Sequence, residues 1–309
     1  MNRPSMLLLS LLIFLPGCMT PGEPWDGTAR SLDGRVLNAP PITFAKRPEL
    51  DANLRAAKAV LDADPTSEEA IIWYGRRLAY LYRYAEALGT FTRGIELHPG
   101  SYRLLRHRGH RYITVRRFDL AENDLRRAAA LAEGKADRVE PDGAPNAAGV
   151  PLSTDHSNIW YHLALALYLQ GKFEEAEPAW AKCVEMRRTN DDTLVASVYW
   201  HYLTLRRLGR DAEAAAAIAM VNPGMTILEN KSYHAMLLVF KGERKRVELT
   251  RAVRAGELDA STVGYALGAA SLLEGDAAGA RGHFEKVIAT TMWPMFGHIA
   301  SEAELARMK

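Results

Sequence analysis

The segment IIWYGRRLAYLYRYAEALGTFTRGIELHP, residues 71–99, contains the pattern that decides the fold. Small residues stand within it at Gly75, Ala87 and Gly94. The same three positions recur, first shifted by 34 residues and then in later units, as Gly109, Ala121 and Ala128, Ala164, Ala176 and Cys183, Tyr202, Ala214 and Val221, and Gly268, Ala280 and Val287. The recurrence of these residues at a spacing of 34 indicates a repeat architecture.

Larger apolar residues accompany the small ones at a late position of each unit: Phe91, Leu125, Trp180, Ile218 and Phe284. Two antiparallel helices joined by a short turn approach closely only where the facing side chains are small, and a bulky residue one turn away then fills the groove. Each helix pair leaves an apolar face that the next pair covers, so the core extends along a superhelix. The pattern therefore predicts an all-α solenoid of about fourteen helices with no sheet.

These motifs resemble the tetratricopeptide repeat over about residues 68–292. The first unit matches with the pattern Ile-x-x-Tyr-Gly-x-x-Leu at residues 71–78, and the third matches with Trp-x-x-Leu-Ala-x-x-Leu at residues 160–167. The resemblance implies a right-handed superhelix of antiparallel helix pairs, in which the first helix of each pair lines a concave groove that binds partners. The fifth unit, about residues 228–254, is a divergent helix pair.

The ends of the solenoid, residues 49–309, have their own signals. Residues 48–61 are expected to form an unpaired helix, and Thr66 with Glu69 is expected to form a capping box at the start of the next one. The segment 294–308 is predicted to be a final helix that covers the last open face.

An insertion, residues 135–157, separates the second and third units. Its prolines and its Asp142-Gly143 pair predict a loop rather than a helix. Long loops inside compact repeats are often functional, so Asp142, Asn146, Asp155 and His156 are candidate site residues. A neutral surface insertion is the equally open alternative.

Residues 1–17 read as a signal peptide, with Arg3 ahead of a short apolar run that is too short to cross a bilayer. Leu15-Pro16-Gly17-Cys18 resembles the bacterial lipobox, although Pro16 departs from the usual alanine or serine. The resemblance implies cleavage and lipid attachment at Cys18, and Met19 implies sorting to the outer membrane. An ordinary secretory signal is the alternative. Residues 18–48, rich in proline and glycine, are expected to be a flexible tether on the periplasmic side of the cell envelope.

Carrying the repeat register along the chain predicts which residues face the groove and bind a partner: Arg76, Arg103, Arg106, His110, Asn158, Tyr161, Tyr199 and Arg206. Arginine binds carboxylate through two parallel hydrogen bonds, and tyrosine supplies rigid area with a polar tip. A protein or peptide with an acidic or carboxylate-bearing segment is therefore the expected partner. Arginines lying over the core on a solvated helix face remain an alternative. Arg108, at a usually apolar position, either shifts the register or pairs with Asp119 or Asp124.

Other chemistries have little support. The net charge is +2 at pH 7, so no overall field attracts nucleic acid, and we expect none as a partner. The nine histidines show no HExxH spacing, so we expect neither a metal nor a cofactor. Cys183 is predicted to be a buried packing residue. His156 with Asp155 or Asp142 is the one acid–base candidate, without a recognisable nucleophile beside it.

The sequence thus predicts a lipid-anchored interaction scaffold or adaptor of the bacterial cell envelope, and not an enzyme. Two alternatives are an envelope hydrolase that uses the inserted loop, and a binder of a small anionic ligand held by Arg76, Arg106 and His110.

Overall fold

The computed structural model describes residues 27–143, 146 and 148–309, and these contain fourteen helices. They are α1 (Arg47–Ala63), α2 (Glu68–Tyr80), α3 (Tyr84–Leu97), α4 (Tyr102–Thr114), α5 (Phe118–Ala132), α6 (Asp155–Leu169), α7 (Phe173–Met186), α8 (Asp191–Arg207), α9 (Asp211–Ile218), α10 (Lys231–Phe240), α11 (Arg246–Arg254), α12 (Ala260–Leu273), α13 (Ala277–Ile288) and α14 (Phe296–Arg307). The only extended pairings in this part of the chain are two isolated bridges, Arg30 with Val36 and Val139 with Thr154.

The predicted contacts between small and large residues hold the helix pairs together. A Cβ at Gly75 would collide with the ring of Phe91, and one at Gly109 would lie 2.8 Å from Cγ of Leu125. The same collision would occur between Gly268 and Phe284. Each glycine therefore lets the second helix of its pair approach closely, which confirms the all-α solenoid of tetratricopeptide type.

The turns inside the six helix pairs share a left-handed residue. These residues are Tyr82, Arg116, Gly171, Gly209, Gly242 and Gly275. Glycine adopts this conformation without a steric cost, whereas a residue with a Cβ is strained there. Tyr82 and Arg116, with φ of 60° and 63°, are thus the exceptions that need a reason.

Helix α1 lies outside the six helix pairs, as predicted, and packs on α2, with Leu54 and Leu61 against the core of the first units. The predicted capping box at the start of α2 was wrong. The residue that caps α2 is Ser67, whose side chain accepts a hydrogen bond from the Ala70 amide at 3.3 Å. The Thr66 hydroxyl instead donates to Asp64 in the preceding turn. The cap of α2 is therefore one residue later than the sequence predicts.

The final helix, α14, does more than cover the end of the stack. Its residues 297–304 are all buried, and it packs on α12 and α13 and also reaches α6. Arg116, in the turn after α4, binds Glu302 at 2.7 Å, and Arg207, at the end of α8, binds Glu304 at 2.9 Å. Because α4, α6, α8 and α12 are first helices of their pairs, α14 lies across the inner face of the superhelix.

The folded body begins before residue 49. The Leu32 amide donates to Glu302 at 3.2 Å, and the indole of Trp293 donates to the Asn38 carbonyl at 2.7 Å. Residues 27–38, assigned from sequence to the tether, therefore contact α14 and the loop before it.

The predicted signal peptide 1–17 and the predicted lipidation site Cys18 lie outside the described residues. Within the described ranges, none of the helices has the length and apolar character needed to span a bilayer.

Candidate functional site

The described residues of the inserted segment between α5 and α6 (133–143, 146 and 148–154) fold over the inner face beside α2 and α4. Arg76 donates to the Pro141 carbonyl at 2.9 Å, and Arg77 donates to the Gly143 carbonyl at 2.7 Å. Gly143 lies so close to the Tyr80 hydroxyl that a side chain would not fit there. The insertion is therefore docked in the groove by specific contacts.

A small cavity of about 190 Å³ lies between this segment and helices α2 and α4; we call it the basic pocket. Three arginines line it, Arg76, Arg106 and Arg111, together with the carboxylates of Glu140 and Asp142. Glu140 contacts Arg106 at 2.7 Å and lies 3.8 Å from Arg76. The positive end of the groove predicted from sequence is thus partly neutralised by the chain's own insertion.

The histidines around this pocket are held neutral. Burial first, and then the charges of Arg106 and Arg76, lower the pKa of His107 well below its usual value. Burial also lowers the pKa of His110, as do the charges of Arg111 and His162. The ring centres of His110 and His162 lie 4.2 Å apart, and a positive charge on either ring would disfavour this contact. These rings therefore serve as neutral packing and hydrogen-bonding groups at pH 7.

A larger cavity of about 410 Å³ opens further along the inner face, and we call it the inner chamber. Helices α6, α8, α10 and α12, the insertion and the start of α14 surround it. Its main lining residues are Asp142, Asn158, Tyr161, Arg187, Thr193, Glu229, Tyr233, Asp259, Thr262 and Phe296. It shares Asp142, Ser153 and Asn158 with the basic pocket, so the two cavities are neighbours.

Arg187 is the most unusual group in the inner chamber. Its guanidinium donates to Asn158 at 3.0 Å and to Ser197 at 3.2 Å, and it lies 4.7 Å from the ring centre of Tyr161. The residue is 6% exposed, and its Nε is buried without a hydrogen-bond partner. Its hydrogen-bond partners among the described residues are all neutral, although a buried cation is usually paired.

The sequence-predicted groove residues fall into three groups. Asn158 and Tyr161 line the inner chamber, whereas Arg76, Arg106 and His110 line the basic pocket. Three others lie elsewhere: Arg103, Tyr199 and Arg206.

The residues of this third group are engaged within the chain. Arg103 is bound to Glu69 at 2.6 Å, and Arg206 to Asp211 at 2.8 Å. Tyr199 is fully buried, since Tyr233 and Phe240 of α10 pack over its ring.

The predicted loop candidates do not form one site. Asp155 and His156 are not in the loop, because Thr154 accepts a hydrogen bond from the Ser157 amide and starts α6 at Asp155. Asn146 holds its own turn, accepting from the amides of Ala148 and Val150.

His156 faces away from the groove. It lines an outer pocket of about 460 Å³ with Trp160 and Lys182, so the structure does not bring it together with Asp142. Asp155 lies at the same end of α6 and binds Arg138 at 2.5 Å.

Two side predictions hold. Arg108 binds Asp124 at 2.7 Å, which is one of the two carboxylates expected as its partner. Cys183 is fully buried, and burial raises the pKa of its thiol. Within the part of the chain that the structure describes, no three His, Cys, Asp or Glu side chains are grouped as metal ligands.

Three site residues escaped the sequence reasoning: Arg111, Arg187 and Tyr233. Arg187 follows α7, a second helix, which the repeat register assigns to the outer surface. Arg111 lies one position beyond the groove-facing set on α4, and Tyr233 belongs to the divergent fifth unit. The one signal that pointed to Arg111 was the density of arginines between residues 103 and 117.

Comparisons with known proteins are limited. No protein-family model matches the chain, and no curated protein matches it. Among solved structures, MamA is 17% identical over 66% of this chain and 99% of its own, with a TM-score of 0.43. YrrB, described as a TPR protein with an unusual peptide-binding site, is 13% identical over 83% and 100%, with a TM-score of 0.43. The P58(IPK) TPR domain is 16% identical over 86% and 96%, with a TM-score of 0.25. These superpositions are partial, so the fold assignment rests on the helix pairing of this chain itself.

Proposed function

We propose that this chain is a lipid-anchored interaction scaffold of the bacterial cell envelope, which holds an acidic segment of a protein partner in the inner chamber. The observation that carries the proposal is Arg187, a buried guanidinium whose hydrogen-bond partners among the described residues are all neutral. A carboxylate from outside the chain would give this cation the partner that it lacks within the described residues.

The inner chamber is a part of the groove that the described residues leave open. Helix α14 and the insertion occupy the neighbouring parts of the inner face, through Arg116 with Glu302 and Arg106 with Glu140. A volume of about 410 Å³ lies in the range of roughly 300–1,000 Å³ that is usual for ligand pockets. It suits a few side chains of a segment, not a whole helix.

The lining of the chamber suits such a segment. Tyr161, Tyr233 and Phe296 supply aromatic surface, while Arg187 supplies a hydrogen-bond donor through its unpartnered Nε. Charge-assisted hydrogen bonds contribute about 1.5–3 kcal/mol each, so one carboxylate on Arg187 would dominate recognition. Asp142, Glu229 and Asp259 on the same walls would disfavour a second acidic residue in the partner.

Replacing Arg187 by methionine tests the proposal. The same change at the adjacent, exposed Arg188 is the matched control. Both variants lose one positive charge. We expect Arg187→Met to abolish partner capture at unchanged helicity, and Arg188→Met to retain it. Partner capture that is equal in the two variants would contradict a role for the chamber.

The partner itself is identified by photo-crosslinking in intact cells. A crosslinking residue at Glu229, exposed on the rim of the chamber, is compared with one at Glu185, exposed on α7. We expect a discrete product only from the Glu229 position. Products that are identical from both positions would place the contact outside the chamber.

Membrane anchoring is tested by Cys18→Ser, with Cys183→Ser as the matched control. One acyl chain gives only marginal membrane binding, whereas several give a stable anchor. We expect only the Cys18 variant to leave the membrane fraction. Its retention there would refute the lipid anchor. The alternative of a hydrolase gains no support, since His156 and Asp142 line different cavities.

A further inference from the structure

We propose that the basic pocket is a second binding site, adjacent to the inner chamber, and that it takes a small carboxylate anion with Arg111 as its main ligand. The pocket is small and is covered on one side by residues 140–142 of the insertion. At about 190 Å³ it has less than half the volume of the inner chamber. It is therefore suited to a free small molecule and not to a protein segment.

Charge in the pocket is incompletely balanced. Arg76, Arg106 and Arg111 supply three positive charges, and Glu140 and Asp142 supply at most two negative ones, which leaves an excess of at least one. Glu140 is taken by Arg106 and Arg76. Among the described residues, the Arg111 side chain has no ion-pair or hydrogen-bond partner, and its guanidinium makes a cation–π contact with Tyr84 at 5.8 Å.

A second, independent observation points to a ligand. Nε of Arg106 is buried without a hydrogen-bond partner, and this side chain is only 10% exposed. Burial lowers the pKa of both Arg106 and Arg111, so each guanidinium is desolvated without full compensation. A bound anion would supply that compensation, because hydrogen bonds to charged groups are strong where water is excluded.

The chemistry of the pocket favours a monocarboxylate. An excess of one positive charge matches one carboxylate, whereas the nearby Glu140 and Asp142 would repel a dianion such as phosphate. Burial raises the pKa of Asp142 against the opposing charge of Arg76, and Oδ2 of this residue is buried without a partner. That oxygen is suited to accept a hydrogen bond from a hydroxyl beside the ligand's carboxylate. A 2-hydroxy acid therefore fits better than a plain acid.

Ligand-observed NMR titration of the purified full chain with lactate, acetate and inorganic phosphate tests this site. We expect saturable binding of lactate, weaker binding of acetate and the weakest binding of phosphate. No saturable binding of lactate to the folded chain, or tighter binding of phosphate than of lactate, would overturn the proposal.

Variants locate the site. Arg111→Gln should weaken lactate binding at least tenfold, and Arg111→Lys should restore part of it by returning the charge. Arg93→Gln, an exposed arginine on α3, makes the same charge change and should have no effect. Equal affinity in wild type and Arg111→Gln, or an equal loss in Arg93→Gln, would show that the anion binds elsewhere.

Discussion

Replacing Arg116 by glycine tests whether one side chain holds α14 in the groove. Arg116 donates to Glu302 at 2.7 and 3.0 Å and to the Trp293 carbonyl at 3.0 Å. The side chains of Arg116 and Glu302 are each 3% exposed, so the variant would leave a carboxylate buried without this partner. Breaking a buried pair in this way costs about 3–5 kcal/mol.

The backbone effect of the same change is opposite in sign. Arg116 has φ of 63°, and relieving a left-handed residue that carries a Cβ returns about 1–2 kcal/mol. We therefore expect a net loss of about 1–4 kcal/mol in the free energy of unfolding. Tyr82→Gly, at the equivalent turn with φ of 60°, relieves the same strain without breaking an ion pair. Because it also removes a partly buried ring that packs against Tyr84 and the core of the first units, it should still cost stability, but less than Arg116→Gly.

Urea unfolding followed by circular dichroism measures the loss, and hydrogen exchange over residues 296–307 locates it. We expect faster exchange of α14 in Arg116→Gly and unchanged exchange in Tyr82→Gly. If both variants have the same unfolding free energy and the same α14 exchange, the pair of Arg116 and Glu302 does not anchor this helix.

Three further predictions concern the packing around the groove. Burial raises the pKa of Glu302, but the hydrogen bond from His298 and the charge of Arg116 outweigh it, so the folded pKa is lowered. The stability from this group is therefore present above the ordinary carboxyl pKa of 4.5 and is lost as the pH falls from there through the lower folded pKa. Hydrogen exchange of α14 in acid should show this loss in wild type but not in Glu302→Gln. Gly75→Ala places a methyl group against Phe91 and should lower the free energy of unfolding by about 1–3 kcal/mol. Gly89→Ala, in open space on α3, should raise it by about 0.5–1 kcal/mol. Equal effects of the two variants in thermal melts would refute the close approach of α2 and α3. Asp192 accepts hydrogen bonds at 2.8 Å from the amides of Leu228, Glu229 and Asn230. Asp192→Ala should therefore lower the free energy of unfolding by about 1–3 kcal/mol and speed the hydrogen exchange of these amides at the chamber rim. Amides that stay protected in the variant would contradict this.

The helix pairs were predictable because their contacts are local in sequence. Gly75 meets Phe91, and Gly268 meets Phe284, within one unit of the repeat, so the spacing of small and large residues is sufficient to infer them. The start of α2 was misplaced by one residue, since Thr66 and Ser67 are both good capping residues and only the Asp64 turn decides between them.

The candidate site was predictable only in part. The repeat register placed Asn158, Tyr161 and Arg106 on the inner face, where the structure has them. It could not indicate Arg187, which reaches the chamber from the end of a second helix, because the register describes regular helices and not the turns between them. Nor could it indicate that Tyr199 would be covered by α10, since that unit departs from the pattern.

The sequence by itself determined the helices of the repeat units, their pairing and, for residues such as Asn158 and Tyr161, the side that faces inward. Only the tertiary structure decided that the groove is partly filled from within, by α14 and by the insertion. The reason is distance along the chain: Arg116 and Glu302 are separated by 186 residues. Whether such residues meet depends on the curvature of the superhelix, which accumulates from small rotations between successive pairs, and no local pattern encodes that sum.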